Sequence, residues 1–254
     1  MHAIGLGVPV LLFLIALPRT ATGQDFMADQ LKHERVRVAR AEFEDSIRTL
    51  FAAKHLPYPP RKLFIRAFKA EGRLEVWAAP AIGERLSLVK TYPICATSGG
   101  LGPKRKEGDL QVPEGFYRIA LFNPESDFYL SMGLDYPNAS DRILGNKEHP
   151  GSDIMIHGKC VTIGCIPIQD EGIKELYWMC VRARAAGQEE IPVHVFPAVL
   201  DSAGMTRLRH DFVGDPARIA FWENLKPGYD LFEKSNICPL VSVDEQGAYL
   251  FQAK

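Results

Sequence analysis

The sequence predicts an α+β fold, in which a β-rich central region lies between a helical N-terminal lead and a C-terminal appendix. Two patterns predict it. Apolar residues recur at helical spacing before residue 60, and from Leu63 onward short β-branched, aliphatic and aromatic runs are separated by glycines. The 254 residues are 46% hydrophobic and 24% charged, with a net charge of −1. These are ordinary globular values, and without a basic stripe no nucleic-acid partner is expected.

Residues 1–23 are predicted to be a secretory signal peptide. The apolar stretch 8–17 is followed by Pro18 and by small residues that end at Gly23, where we expect cleavage. The stretch is too short to span a bilayer permanently, so no stable membrane span is expected after cleavage. Because only His2 and the α-amino group supply positive charge before it, an uncleaved anchor or a buried helix remains an alternative. Export would place the protein in the periplasm.

Residues 24–60 are predicted to form a helical segment packed on the main domain. Its apolar positions recur with helical period and are Ala39, Phe43, Ile47, Leu50 and Phe51. Three prolines end the segment and act as a linker, namely Pro57, Pro59 and Pro60.

Residues 61–200 are predicted to be the main domain. Its predicted strands cover 63–68, 73–79, 86–94, 116–122, 128–132 and 191–196. The loop over 134–152 is a candidate substrate rim, and residues 170–184 are predicted to be a helix with acidic residues at its start and basic residues at its end. Residues 201–254 are predicted to be an appendix packed on this domain, with short helices over 216–224 and 226–234 and a last strand over 248–251.

The stretch 153–165 carries the most informative chemistry. An apolar run ends at His157, and a second β-prone run over 160–163 ends near Cys165. Two adjacent strands ending side by side would bring an imidazole next to a thiol. This predicts a thiolate nucleophile, Cys165, with His157 as its general base and acid.

Several features favour a catalytic interpretation of Cys165 over that of a small buried hydrophobe. It follows Gly164 and precedes a predicted helix start, and both a helix N-terminus and a nearby imidazole lower the pKa of a thiol. The backbone N–H groups of Gly164 and Cys165 are expected to form an oxyanion hole. Gly158 would let the substrate approach the backbone. His149, in a polar loop, is the competing base.

The five cysteines are an odd number, so at least one must remain a thiol in an oxidising compartment. We expect that one to be Cys165, since a disulfide would block the nucleophile. One bridge is expected among the other four, which are Cys95, Cys160, Cys180 and Cys238.

The site residues form a motif that resembles the YkuD-type L,D-transpeptidase catalytic domain: His157-Gly158 followed by Thr162-Ile163-Gly164-Cys165. Ile163 stands where the family signature has a histidine, and the interval between histidine and cysteine is short. Both departures resemble the YafK-like branch of the family. Similar segments cover most of residues 60–200, at 90–95, 98–104, 107–109, 113–117, 136–138 and 193–197, and one more lies at 224–230. The fold implied is a β-rich, sandwich-like domain with flanking helices.

The resemblance implies a cysteine acyl enzyme, without a cofactor or metal, that acts on peptidoglycan stem peptides containing meso-diaminopimelate. The Cys165 thiolate would attack a stem carbonyl and form a thioester. The YafK-like branch implies transfer to water, which makes an amidase that detaches a lipoprotein from the wall. Transfer to a second amine, which forms cross-links or attaches protein to the wall, is the alternative, since residue spacing does not distinguish the acceptors.

Candidate substrate contacts lie in the motif and in the predicted rim. Arg142 and Asp141 are expected to bind a carboxylate or an ammonium of the stem, and Arg142 is favoured because a guanidinium binds a carboxylate bidentately. Gly158, Thr162 and Tyr136 complete the predicted set. The basic run Lys104, Arg105 and Lys106 is a further candidate, and for both charged groups a solvated turn is the competing interpretation.

Two hypotheses from other classes remain open from the sequence. The first is a non-catalytic wall-binding module in which Cys165 is buried or disulfide-bonded. The second is a zinc hydrolase that uses His157 and Cys165 as ligands, with His149 and Cys160 as further donors, although their spacing matches no common zinc pattern.

Overall fold

The structure of the chain is a computed structural model that describes residues 23–253. The predicted signal peptide, apart from Gly23, therefore lies outside the described residues. None of the helices within 23–253 is both long enough and apolar enough to cross a membrane.

The described part of the chain has a mixed α+β architecture, as predicted. The helices are α1 Gly23–Gln30, α2 Glu34–Ala53, α3 Ala139–Leu144, α4 Gln169–Ala185, α5 Ser202–Asp211 and α6 Pro216–Ser235. The strands are β1 Lys62–Phe68, β2 Arg73–Ala79, β3 Ser87–Pro93, β4 Gly115–Asn123, β5 Ser131–Leu134, β6 Met155–His157, β7 Ile166–Pro167, β8 Pro192–Phe196, β9 Leu240–Val243 and β10 Tyr249–Gln252.

Eight strands form one sheet in the order β3-β2-β1-β8-β4-β5-β6-β7, and β9 pairs with β10 separately. The pairs β1–β8 and β6–β7 are parallel, and the remaining pairs in the large sheet are antiparallel. Because β6 and β7 lie at one end of the order, the short strands that carry the predicted site are placed at the edge of the sheet.

Helices cover one face of the sheet. The alternate β1 residues Leu63, Ile65 and Ala67 join the same buried cluster as Ile47 of α2 and Trp178 of α4. Helix α4 is buried from Gly172 to Val181 because it lies between the sheet and the helices α1 and α2. Two polar contacts fix this layer: the Tyr177 hydroxyl donates to Gln30 Oε1 over 2.6 Å, and Trp178 Nε1 donates to Glu44 Oε2 over 2.5 Å.

The opposite face of the sheet is covered by the C-terminal elements. Helix α6 buries residues spaced by three or four positions, namely Trp222, Leu225, Tyr229 and Phe232. Trp222 Nε1 donates to Glu114 Oε2 over 2.7 Å, and Lys69 Nζ lies 2.9 Å from Glu114 Oε1. Glu114 is fully buried, and its two oxygens are satisfied by these partners. The appendix therefore packs on the sheet through apolar contacts and through the hydrogen bond from Trp222 to the buried Glu114.

Three sequence expectations about secondary structure were wrong. The predicted strand over 160–163 is a loop, since its Thr162 side chain bonds to nearby backbone and competes with strand pairing. The two short helices predicted around Pro227 are the single helix α6, because burial of one apolar face continues across the proline. The predicted rim contains the short helix α3, whose Asn138 forms a capping box with Asp141.

Candidate active site

The placement of His157 and Cys165 follows from the pairing of two short strands. His157 is the last residue of β6, and Cys165 immediately precedes β7. The strands are parallel, with Ile156 opposite Ile166 and His157 opposite Pro167. The expectation that the two residues lie on adjacent strands or at their ends is confirmed.

Both side chains line one cavity of about 370 Å³ at this edge of the sheet. Other lining residues come from four loops and are Lys104, Glu107, Gly108, Leu110, Phe128, Gly151, Ser152, Asp153, Ile154, Val161, Thr162, Ile163 and Gly164. Within residues 23–253 no direct hydrogen bond joins the imidazole to the sulfur. The two groups therefore meet only through the cavity that both side chains line.

The backbone selects the tautomer of His157. Its Nδ1 lies 2.5 Å from the Gly158 carbonyl oxygen, which can only accept a hydrogen bond. Nδ1 therefore carries the proton, and Nε2 has the lone pair that a general base needs. The ring also packs on Phe128, with centroids 4.6 Å apart. Burial lowers the pKa of His157, and the bond to Gly158 offsets only part of this, so the imidazole is neutral near neutral pH.

The surroundings of Cys165 raise rather than lower the pKa of its thiol. Burial is the largest cause, and Asp153 raises the pKa further, whereas the Met155 N–H and the Lys104 cation lower it. The Met155 N–H lies 3.4 Å from Sγ, and the sulfur lies 3.5 Å from the Asp153 carbonyl oxygen. The expected activation by a helix N-terminus is wrong, because α4 begins only at Gln169, with β7 in between. The resting pair is thus a neutral thiol and a neutral imidazole.

Thr162 organises the turn that leads into Cys165. Its Oγ1 accepts hydrogen bonds from the Gly164 N–H over 3.0 Å and from the Cys165 N–H over 2.7 Å, and it donates to the Cys165 carbonyl oxygen over 2.8 Å. Gly164 has a φ of +143°, which favours glycine. The two amides expected to form an oxyanion hole therefore converge on one oxygen atom, at present that of Thr162.

Gly158 has a different reason to be glycine from the one expected. A Cβ atom there would lie 2.6 Å from Asp170 Oδ1 and 2.6 Å from the Phe128 carbonyl oxygen. The protein itself fills the space, so the residue permits close packing rather than approach by a substrate. Asp170 also accepts a 2.7 Å hydrogen bond from the Lys159 N–H, which fixes the start of the loop after His157.

The charged rim candidates lie away from this cavity. Asp141 is 1% exposed and accepts hydrogen bonds from the Tyr117 hydroxyl over 3.0 Å and from the Asn138 N–H over 3.2 Å. Burial raises the pKa of Asp141 to about 6. Its carboxylate is thus a cap and a core contact, which leaves it no room to bind a ligand.

The other rim candidates are likewise outside the cavity that Cys165 lines. Arg142 is exposed on α3, and the Tyr136 hydroxyl donates to the Pro150 carbonyl oxygen over 2.8 Å. Of the basic run, only Lys104 lines the cavity, where its Nζ lies 2.7 Å from Asp109 Oδ1. Arg105 lies 3.4 Å from Asp141 instead. A position close to the motif in the sequence therefore did not indicate which of these side chains line the cavity.

A disulfide joins Cys95, just beyond β3, to Cys160 in the loop between His157 and Cys165. The expectation of one bridge among the four other cysteines is confirmed, and Cys165 remains a thiol. The cavity also contains residues that the sequence did not single out, among them Asp153 and Leu110. Only the position of Asp153, twelve residues before the nucleophile candidate, could have drawn attention to it.

Comparison with known proteins places the chain in a family. Residues 65–217 match the family described as YkuD, L,D-transpeptidase catalytic domain. Over 183 residues the chain is 39% identical to "Putative L,D-transpeptidase YafK" from Escherichia coli (strain K12), an alignment that covers 71% of this chain and 70% of that protein.

Solved structures with a similar fold have low identity to the chain. One is the helical cell shape determining protein Pgp2 from Campylobacter jejuni, with a TM-score of 0.43 and 16% identity over 72% of this chain and 73% of that one. A mutant form of Pgp2 has a TM-score of 0.43 and 21% identity over 56% of this chain and 49% of that one.

A thiol and a neutral imidazole in one cavity at a sheet edge define a candidate thiol enzyme. The family match covers more than half of the chain, and the relative from Escherichia coli is aligned over more than two thirds of its own length. The chain belongs to the YkuD family of L,D-transpeptidase catalytic domains.

Proposed function

We propose that the protein is an exported cysteine acyl enzyme that acts on peptidoglycan stem peptides. The observation that carries the proposal is the parallel pairing of β6 with β7, which brings His157 and Cys165 to one cavity in a chain of the L,D-transpeptidase family. Cys165 is the proposed nucleophile, and His157 is the proposed base and acid.

The neutral resting pair sets the order of the proton transfers. His157 Nε2 takes the thiol proton as the Cys165 sulfur bonds to the substrate carbonyl carbon. The Gly164 and Cys165 N–H groups stabilise the resulting oxyanion, which must displace the Thr162 hydroxyl from them. Collapse breaks the amide bond, and His157 gives its proton to the leaving amine. A thioester on Cys165 remains.

Water is the proposed acceptor of the acyl group. His157 removes a proton from water as it attacks the thioester, and the returning proton restores the Cys165 thiol. The overall reaction hydrolyses the amide between meso-diaminopimelate and a wall-bound lipoprotein, as the resemblance to the YafK-like branch implies. The name of the relative from Escherichia coli supports an alternative, in which an amine accepts the acyl group and a cross-link or a protein attachment forms.

The predicted signal peptide and a cell-wall substrate together support a periplasmic location. Export also agrees with the Cys95–Cys160 disulfide, since such bonds persist in oxidising compartments.

The decisive experiment is product analysis after incubation with isolated cell walls. Walls that carry covalently bound lipoprotein should release it with an intact diaminopimelate carboxylate on the stem, and cross-linked stems should not accumulate. New cross-links, or attachment of added protein, would assign the transpeptidase reaction instead. EDTA should leave the rate unchanged; inactivation that added zinc reverses would make His157 and Cys165 metal ligands.

The matched control is Cys238→Ser, which removes a different thiol that is also neither fully buried nor in a disulfide. Its products and rates should equal those of the wild-type protein. If Cys165→Ala binds walls as tightly as the wild-type protein and neither protein yields any product, the protein is a binding module.

A further inference from the structure

A second thiol and imidazole meet in a separate cavity. This cavity, of about 290 Å³, lies where β4 and β8 meet the segment before β9, and Cys238 and His194 both line it. It shares no lining residue with the 370 Å³ cavity of Cys165. The family reaction proposed above uses none of its residues.

The geometry brings the two side chains together. Cys238 Sγ lies 3.9 Å from His194 Nε2. His194 is 2% exposed, and its ring is held between Phe64 and Phe116, with ring centroids 4.5 and 4.6 Å away in edge-to-face contact. The ring is therefore fixed, and one of its nitrogens is aimed at the sulfur.

The other ring nitrogen of His194 is unusual. Nδ1 is buried and has no hydrogen-bond partner among the residues that the structure describes. A buried polar atom without a hydrogen-bond partner destabilises the folded protein. A phenyl ring would fit among the neighbouring aromatic side chains without that cost, so packing alone does not explain a histidine here.

Burial and the nearby charges keep the imidazole of His194 neutral. Burial lowers the pKa of His194 well below its usual range, and the cations of Arg66 and Lys62 lower it further. The imidazole is therefore neutral and can accept a proton.

The lining of the cavity indicates the kind of molecule it would hold. Cations and carboxylates both line it, among them Lys62, Arg118, Glu84 and Glu190, next to apolar side chains such as Leu86. Arg118 and Glu190 lie 3.0 Å apart as an ion pair, and a small zwitterion with α-amino and α-carboxylate groups can replace each partner of such a pair by a group of the same charge. The volume suits a molecule of the size of one or two amino acids.

We propose that Cys238 and His194 form a second thiol site, which takes up a small disulfide of amino-acid type by thiol–disulfide exchange. His194 Nε2 accepts the Cys238 proton, and the thiolate attacks one sulfur of the small disulfide. The new bond joins Cys238 to one half of that molecule, and its own S–S bond breaks. The other half leaves as a thiolate and takes the proton from His194, so Cys238 is oxidised as the small disulfide is reduced.

The test uses L-cystine with the folded Cys165→Ala protein, in which the thiol of the first site is absent. Intact mass and non-reducing peptide mapping follow the adducts over time. We expect a single cysteinyl group on Cys238. Cys180 is fully buried and reports unfolding in every sample, since it should remain unmodified while the protein is folded.

Two variants separate the role of His194 from simple exposure of the thiol. His194→Phe suits the aromatic surroundings, and His194→Gln keeps a polar group; both should slow modification of Cys238 by about tenfold or more. Cystamine, which lacks carboxylates, should react more slowly than L-cystine with the parent protein. An unmodified Cys238, equal rates in the parent and both variants, or modification only when Cys180 also reacts would overturn the proposal.

Discussion

At the scale of single residues, the proposed reaction depends on the protonation states of His157 and Cys165. Burial lowers the pKa of the imidazole and raises that of the thiol, so both groups are neutral at rest. The sequence motif predicted the partners but not this state, because it placed a helix N-terminus beside the sulfur. The intervening strand β7 removes that positive end from the site.

The first prediction is the pH dependence of kcat/KM. Because the folded protein lowers the pKa of His157, the base should lose its activity only below pH 6.5, the usual value. Since the thiol has a raised pKa, activity should not fall as the pH rises to 9.0. A rate profile measured across this range checks both limits. A decline at mildly alkaline pH would mean that an imidazolium is required, and would contradict the neutral pair.

Thr162 gives a second prediction at the same scale. Thr162→Val removes the oxygen that holds the Gly164 and Cys165 amides in one direction until the oxyanion takes its place, so kcat should fall by about tenfold to a hundredfold. Thr162→Ser keeps the hydroxyl and should retain most of the rate. Steady-state kinetics of the two variants decide the matter. Equal losses in both would show that the methyl group, rather than the hydroxyl, is what the site needs.

At the scale of elements, the loop between β6 and β7 is the least predictable part of the site. Its exposed apolar residues Val161 and Ile163 resemble a strand in sequence, but their side chains are 56% and 77% exposed. A disulfide at Cys160 and the Thr162 hydrogen bonds hold this loop, and neither follows from hydrophobic periodicity. Longer elements were more predictable: in α2 the buried residues recur at helical spacing, and β1 is a continuous β-prone run that is buried almost throughout.

The disulfide leads to the third prediction. Replacing Cys95 and Cys160 together by serine should lower the free energy of unfolding by about 2–4 kcal/mol. It should also lower kcat, because the loop that carries Thr162 and Cys165 loses its tether to the end of β3. Chemical denaturation and kinetics measure the two effects, with Cys238→Ser as the matched control. Full activity in the double variant would show that the loop holds its shape without the bridge.

At the scale of the whole molecule, each face of the central sheet is covered by a different set of helices. The N-terminal helices and α4 cover one face, and the appendix covers the other through α6. The sequence predicted a helical N-terminal segment and a C-terminal appendix, each packed on the main domain, but not which face each would cover. It did not predict the link through the buried Glu114, which contacts Trp222 of α6 and Lys69, the residue after β1. These three residues are far apart in the chain, so no local sequence pattern indicates that they meet.

This link gives the fourth prediction. Trp222→Ala should lower the free energy of unfolding by about 3–5 kcal/mol, because it leaves a cavity and removes a hydrogen bond from the buried Glu114. Trp222→Phe should cost less, since it keeps most of the packing. Urea denaturation compares the two. A loss below about 1 kcal/mol in Trp222→Ala would show that residues 201–254 fold separately from the sheet.

The central claim is that Cys165 forms a covalent acyl intermediate, and the most direct test is turnover of wall substrate by Cys165→Ala beside the wild-type protein. We expect the variant to fold with an unchanged thermal midpoint and to lose activity by about a thousandfold or more, as removal of a catalytic nucleophile does. Acid-quenched wild-type protein should carry a stem-peptide thioester on Cys165. Turnover of Cys165→Ala near the wild-type rate would contradict the account.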